Sequence, residues 1–216
     1  MTPNNIVNMS ILKGLDVIAI TDHNSCGNVR SAMKVAGDKL LVIPGMEIES
    51  SEEVHIVSLF PNIEAAERME EIIRERSNFP DNNSKIFGNQ FYMDELDQVV
   101  GEEEKLLVSA TGLDIYEVIE TVKRLGGVAY PAHIDRSSYS VLSNLGFIPP
   151  DLEISTVEIT AKNRESMIDA YNQYNVITSS DAHYLWDISE KIYCLDTINK
   201  NVDEFLSKLS AKIVDF

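Results

Sequence analysis

An α/β fold of repeated strand and helix units is what this sequence predicts, and three observations predict it. Short apolar runs such as Val17-Ile18-Ala19-Ile20, Val128–Tyr130 and Val176–Ser179 have the length and composition of strands buried on both faces. Between them lie segments with helical spacing. Several of the apolar runs also break directly into polar residues that can bind or ligate, the pattern expected where strand ends in an α/β fold assemble a site. The 216 residues, 44% of them hydrophobic, suffice for one domain spanning residues 1–216.

Taken in order, Thr2-Pro3 reads as a helix N-cap followed by proline at the first helical position. Ile6, Val7, Met9, Ile11 and Leu12 give that helix an apolar face up to Gly14. A strand over Asp16–Thr21 follows, then a helix near Asn28–Ala36 ending at Gly37, then a strand over Leu40–Ile43. Pro44-Gly45 should break that run before Met46-Glu47-Ile48-Glu49, which alternates like a half-buried strand. Strand Val54–Phe60 and a charged helix near Ile63–Arg76 come next. From Ser77 to Thr111 the pattern changes to acidic turns separating short segments, Gln90–Met93, Gln98–Val100 and Leu106–Ser109. This stretch reads as a β-hairpin insertion. Alternation resumes with helix Ile115–Leu125, strand Val128–Tyr130, a short helix near Tyr139–Leu145 and strand Thr156–Ile159. Helix Arg164–Tyr174, strands Val176–Ser179 and Ile192–Leu195, and helix Val202–Leu209 complete the chain. Repeated β-then-α units predict a parallel sheet, open or closed into a barrel.

A net charge of -17 argues against a general affinity for nucleic acid or anionic membrane, which needs clustered Lys and Arg. It leaves room for small anionic substrates, because bound cations reverse the local potential of an acidic site. Cys26 and Cys194 share no metal-ligand spacing and read as reduced thiols of a cytoplasmic protein. The first residues show no signal peptide, and no run approaches the ~18 apolar residues of a membrane span.

The chain has four histidines, and all sit at strands or strand ends. His23 lies in Thr21-Asp22-His23-Asn24, His55 heads its strand, His133 follows Pro131-Ala132, and His183 closes Ser180-Asp181-Ala182-His183. An Asp-His pair can simply close a turn with a local hydrogen bond. Four histidines in one kind of position point instead to a shared cation. Asp181 and His183, at i and i+2 beyond a strand, could reach the same ion. Glu47, after Pro-Gly-Met, is the carboxylate placed to bridge two cations. Glu49, Glu52 and Glu53 are expected on the surface. Arg136 is either a solvated surface side chain or a phosphate contact.

Together, Thr21-Asp22-His23-Asn24, Pro44-Gly45-Met46-Glu47, His55, Pro131-Ala132-His133 and Ser180-Asp181-Ala182-His183 resemble, in order and approximate spacing, the PHP (polymerase and histidinol phosphatase) superfamily. The resemblance spans nearly the whole chain. It implies a distorted (β/α)7-type barrel, one unit short of the eight of the TIM type, with up to three Mn, Fe or Zn ions at its C-terminal edge. It also implies hydrolysis of phosphate esters. The implied metal ligands are His23, Glu47, His55, His133, Asp181 and His183, with Asp181 or His183 also steering the proton. Asp22 would orient His23, and Arg136 would contact substrate phosphate.

The chain departs from that pattern in lacking a first strand carrying His-x-His before Thr2-Pro3. The expectation is fewer bound ions, impaired activity, and exposed strand edges that a homodimer or swapped element could cover. On this expectation Glu47, His55 and His133 share one ion. The favoured reading is a phosphoesterase acting on a small phosphorylated metabolite or nucleotide. The alternatives are a non-catalytic metal-binding scaffold and an amidohydrolase-type hydrolase of C–N bonds.

Overall fold

Thr2 caps the first helix as the Thr-Pro pair predicts, its Oγ1 accepting the Asn5 amide hydrogen. From there the computed structural model describes residues 1–211. Helix α1 (Pro3–Leu12) leads to β1 (Val17–Ile20), α2 (Val29–Ala36), β2 (Leu41–Glu49), β3 (His55–Leu59) and α3 (Ile63–Arg76). The insertion supplies α4 (Ser84–Phe87), β4 (Phe91–Met93) and β5 (Val99–Glu102). Then come α5 (Ile115–Arg124), β6 (Val128–Pro131), α6 (Val141–Leu145), β7 (Thr156–Glu158), α7 (Arg164–Met167), β8 (Asn175–Ile177) and α8 (Val202–Ser210).

The main sheet has the order β1-β2-β3-β6, and β7 pairs with β8 in a second, two-stranded sheet. β1 and β2 are parallel, as are β7 and β8, but β3 runs antiparallel to both β2 and β6. The uniformly parallel sheet expected from β-then-α alternation is therefore corrected at β3. Only Ser50–Val54 joins β2 to β3, closed by the Ser50 amide on the Val54 carbonyl at 2.9 Å. So short a link forbids the crossover that a parallel partner needs, and a hairpin is the one available connection.

Pro44-Gly45 does not split β2 in two as expected. Pro44 needs no donor there, and its carbonyl accepts the Phe60 amide at 2.8 Å. A Cβ on Gly45 would stand 3.0 Å from both Leu59 Cδ2 and the Ser58 carbonyl, so a glycine lets β1 and β3 close on this point. Strand alternation then sorts the core into two layers. Ile20, Val42, Met46, Ile48, Ile56 and Val157 pack outward against the helices. Ile43, Val57, Leu59, Val128 and Tyr130 form an inner cluster with Leu206 and Leu209 of α8. Thr156 ties β7 to that helix by donating its hydroxyl to the Leu209 carbonyl at 2.6 Å.

The insertion contains the expected hairpin, β4 against β5. Leu106–Ser109 does not form its third strand, because its polar backbone groups are taken elsewhere. The Leu106 amide bonds to the Pro80 carbonyl, the Leu107 amide to Gln90 Oε1, and the Leu107 and Ser109 carbonyls accept from Asn24. Ile192–Leu195 is not a strand either. Its four side chains are solvent-exposed, and the segment crosses the outer edge of β1 held by Lys191 and Lys200 on Asp16. The helix expected over Arg164–Tyr174 tightens after α7 into a 3-10 turn over Ile168–Tyr171. Among the described residues no helix is long and apolar enough to cross a membrane.

Candidate metal centre

The inner face of β2 carries Ile43, Gly45, Glu47 and Glu49 in alternation, so the carboxylates emerge where the apolar cluster ends. Glu47 is the hub. Its Oε2 stands 3.5 Å from His23 Nδ1 and 3.4 Å from His55 Nδ1, while its Oε1 faces His133 Nε2 at 3.5 Å. Each imidazole arrives on a different element: His23 from the end of β1, His55 at the start of β3, His133 just beyond β6. The rings are neighbours, with centroids 5.0 Å apart for His23 and His55 and 5.4 Å for His55 and His133.

These contacts are too poorly aligned to satisfy the nitrogens. His23 Nδ1, His55 Nδ1 and both nitrogens of His133 are buried without a hydrogen-bond partner. Buried polar atoms are normally paired, so a set of orphans converging on one carboxylate calls for an additional group. The ligand atoms of His23, Glu47 and His55 all lie within 4.8 Å of one another. Imidazole nitrogen and carboxylate oxygen are the donors that Mn, Fe and Zn accept. Around a tetrahedral ion with bonds of about 2.0–2.2 Å, such atoms stand roughly 3.3 Å apart. The side chains present fit a divalent transition-metal ion.

The titration properties follow from the same contacts. Burial opposes the Glu47 carboxylate, yet contact with His133 and His55 holds it well below the usual range. Burial likewise opposes the His55 imidazolium, but contacts with Glu47 and Glu49 raise its pKa to about 9. His23, where burial dominates, is lowered.

The other expected site residues are placed differently. Asp181 reaches the rim but pairs with Arg136, whose guanidinium lies 2.5 Å from Asp181 Oδ2. His183 is exposed, its Nδ1 against the Asp181 carbonyl at 2.9 Å. Neither joins the cluster of His23, Glu47 and His55. Glu47 meets both histidines expected beside it: His55 shares Glu47 Oε2 with His23, and His133 faces the other oxygen. The Asp22 carboxylate takes a contact from Asn28 Nδ2 at 3.5 Å, while His23 Nδ1 turns to Glu47. Arg136 is exposed and engaged with Asp181.

Three further residues shape the site. Glu49, expected on the surface, is buried and stands 3.7 Å from His55 Nε2, so His55 sits between two carboxylates. Its position two residues beyond Glu47 on an alternating strand was the available signal. Tyr139 stacks on His55 with centroids 4.8 Å apart, and its carbonyl accepts the His55 amide at 3.0 Å. Nothing in the sequence pattern marks it. Glu158, the last residue of β7, is 3% exposed, and burial lifts its carboxyl to about 7 against the opposing hydrogen bond from Ser179.

Beside the cluster, between the outer edges of β1 and β8, opens a cleft of about 490 Å³. Asp22, Glu47, Glu158, Asp181 and Glu190 line it together with His23 and His183, and no Lys or Arg does. A concave wall with that charge repels anions unless cations occupy it.

The mixed α/β framework that gathers histidines and a carboxylate at one rim is a fold that this chain shares with known proteins. Solved structures carry the same fold. An endonuclease from Pyrococcus furiosus described as lesion-specific superposes with a TM-score of 0.70 at 17% identity over 97% of this chain. The chain spans 51% of that endonuclease. A protein of Bifidobacterium adolescentis provisionally assigned as a metal-dependent phosphoesterase matches at TM-score 0.59 and 20% identity, over 99% of this chain and 92% of that one. An amidohydrolase of Chromobacterium violaceum, solved with sulfate and no metal, matches at TM-score 0.58 and 15% identity, over 96% and 91%. No sequence-family profile and no curated protein matches the chain.

Proposed function

We propose that this protein hydrolyses phosphate esters with the help of divalent transition-metal ions held on Glu47, and that its substrate is a small phosphorylated metabolite or nucleotide. The observation that carries the reading is the set of buried, unpartnered imidazole nitrogens facing the two oxygens of one carboxylate. His23, His55 and Glu47 would hold the ion, which supplies Lewis acidity toward phosphoryl oxygen and lowers the pKa of water. Glu49 faces the other nitrogen of His55 at 3.7 Å and adds negative charge beside the ring. Tyr139 covers one face of the same ring and keeps water from it. Arg136 is within reach of the rim through its pair with Asp181, and a substrate phosphate could draw it away, since a guanidinium binds phosphate bidentately. The acidic, Lys- and Arg-free cleft favours a small substrate that enters with cations over an extended nucleic-acid strand.

The test is phosphate release from a panel of nucleotides, nucleoside bisphosphates and sugar or amino-alcohol phosphates with added Mn²⁺. Glu47→Gln, which keeps the shape and removes the charge, should lower the rate at least 100-fold. An unchanged rate in that variant would remove Glu47 from the chemistry. Cleavage of amides instead of phosphate esters across matched panels would select the C–N hydrolase reading.

A further inference from the structure

Just beyond His183 the chain makes a tight turn that carries two large aromatic side chains into solvent. Tyr184 and Trp186 stack on each other with ring centroids 4.7 Å apart and planes 4° from parallel. They remain 57% and 74% exposed. Trp is highly buried on average and carries a large apolar area, so a broad indole face left in water is the informative case.

The turn is built to hold the rings there. The Tyr184 amide donates to Asp187 Oδ2 at 3.0 Å and the Asp187 amide to the Tyr184 carbonyl at 2.9 Å, closing a 3-10 turn over Leu185–Asp187. Ile188, buried, anchors its far end. Both ends of the turn open on the cleft beside Glu47: His183 before it and Ile188, Ser189 and Glu190 after it line that cleft together with His23 and Glu47. Consecutive Cα atoms are about 3.8 Å apart, so Tyr184, next to His183, and Trp186, two residues before Ile188, stand close to the wall.

The cleft, about 490 Å³, is of the size that takes a small organic ligand. Ser179, Ser180 and Ser189 place hydroxyl-bearing side chains along its wall. An aromatic plane, hydroxyl groups and a candidate metal centre correspond to three parts of one molecule: base, sugar and phosphate.

We propose that Tyr184 and Trp186 form a nucleobase platform, on which the base of a nucleotide stacks while its phosphate reaches the Glu47 centre. The inference rests on the phosphoesterase reading of that centre and names its substrate class. Every base has a π face, and a bicyclic purine covers more of an indole than a pyrimidine does.

The experiment uses the full chain, with ZnCl₂ or with chelator, and two probes that differ by the base alone, adenosine 5′-monophosphate and ribose 5-phosphate. Trp186 is the chain's one tryptophan, so its emission reports on the platform directly. The nucleotide should quench that emission and ribose 5-phosphate should leave it unchanged. By calorimetry the nucleotide should bind tighter by about 5-fold or more; Trp186→Ala should erase that preference and Trp186→Phe should restore part of it. Because Trp186 is 74% exposed, both variants should fold, which circular dichroism checks. Equal affinities for the two probes in wild type, or a preference that survives Trp186→Ala, would overturn the proposal, while zinc-dependent binding of both probes would leave the Glu47 centre standing. A preference for the nucleotide that is the same with ZnCl₂ and with chelator would keep the platform and overturn its link to Glu47. Emission that changes with protein concentration and not with nucleotide would mean that a second copy covers the rings, and would also overturn the proposal.

Discussion

Replacing Asn24 tests whether the ladder that positions Glu47 is continued by a side chain. Past the end of β1 the parallel pairing runs on through the Glu47 amide to the Asp22 carbonyl at 3.1 Å and the Asn24 amide to the Glu47 carbonyl at 2.9 Å. At the next step the strand has turned away, and Asn24 Oδ1 accepts the Glu49 amide at 3.1 Å in its place. The same side chain donates to the Leu107 carbonyl at 2.8 Å and the Ser109 carbonyl at 3.0 Å, tying the insertion to the centre. Asn24 is fully buried and has φ 51°. Asn24→Ala removes three hydrogen bonds worth about 1 kcal/mol each and leaves the buried Glu49 amide unpaired at a further cost of about 1 kcal/mol or more. The sum is about 4 kcal/mol. For a chain of this size each kcal/mol shifts melting by about 2–4 °C, so the variant should melt roughly 8–16 °C lower. Asn24→Gly loses the same bonds but relieves the left-handed backbone, and should recover about 1 kcal/mol. Thermal melts followed by circular dichroism in chelator would measure both. A fall below about 3 °C for Asn24→Ala would mean that the backbone alone carries the ladder.

The remaining predictions concern pH and thiols. His55, raised to about 9, stabilises the fold fully below its ordinary value of 6.5 and loses that contribution as pH climbs through 9. Glu158, raised from 4.5 to about 7 by burial, lowers stability in the same direction but over the earlier window from pH 4.5 to 7, so the fall above 7 belongs to His55. The melting temperature of metal-stripped protein should therefore fall between pH 6.5 and 9, and a rise across that window would contradict the assignment. Metal affinity should increase over the same window as ions displace these protons. Burial beside Glu70 pushes the Cys26 thiol well above its usual range, with Sγ donating to Glu70 Oε2 at 3.2 Å, whereas Cys194 is exposed. A thiol reagent should modify one cysteine rapidly and the second only on unfolding; two fast thiols would contradict the burial of Cys26.

What the sequence made legible was whatever depends on local pattern. The helix over Ile63–Arg76 formed as read because its apolar spacing and its Asn62 cap agree. The four strand-associated histidines could be read as one set because their strand ends are visible in the chain, and three of them do meet at Glu47. The reversal of β3 was hidden, since composition does not record strand direction; the short Ser50–Val54 link was the clue. Glu49 was misread as exposed because a glutamate on a half-buried strand looks the same from either face until the register is known. The partners of Asp22 and Asp181, Asn28 and Arg136, depend on where loops from distant elements fall, and no spacing rule reaches that far.

Backbone strain completes the physical account of the site. Among the described residues six non-glycine residues have positive φ, and four of them, Asn24, His133, Tyr139 and Asp181, stand around the candidate metal centre. Such a conformation costs of order 1–3 kcal/mol in each case and persists where the surroundings impose it. His133 shows what the strain accomplishes. Along β6, Val128, Tyr130 and Ala132 belong to the inner cluster, so continued alternation would send residue 133 outward into the helix-facing layer with Ala129. At φ 29° the chain leaves the strand geometry, and the imidazole arrives instead 3.5 Å from Glu47 on the inner side. A relaxed backbone would bury an unpaired imidazole among aliphatic side chains and leave Oε1 of Glu47 without its neighbour. The strained turn is thus tied to the centre itself: it brings His133 and Glu47 to one point, and a cation bound there would offset its cost.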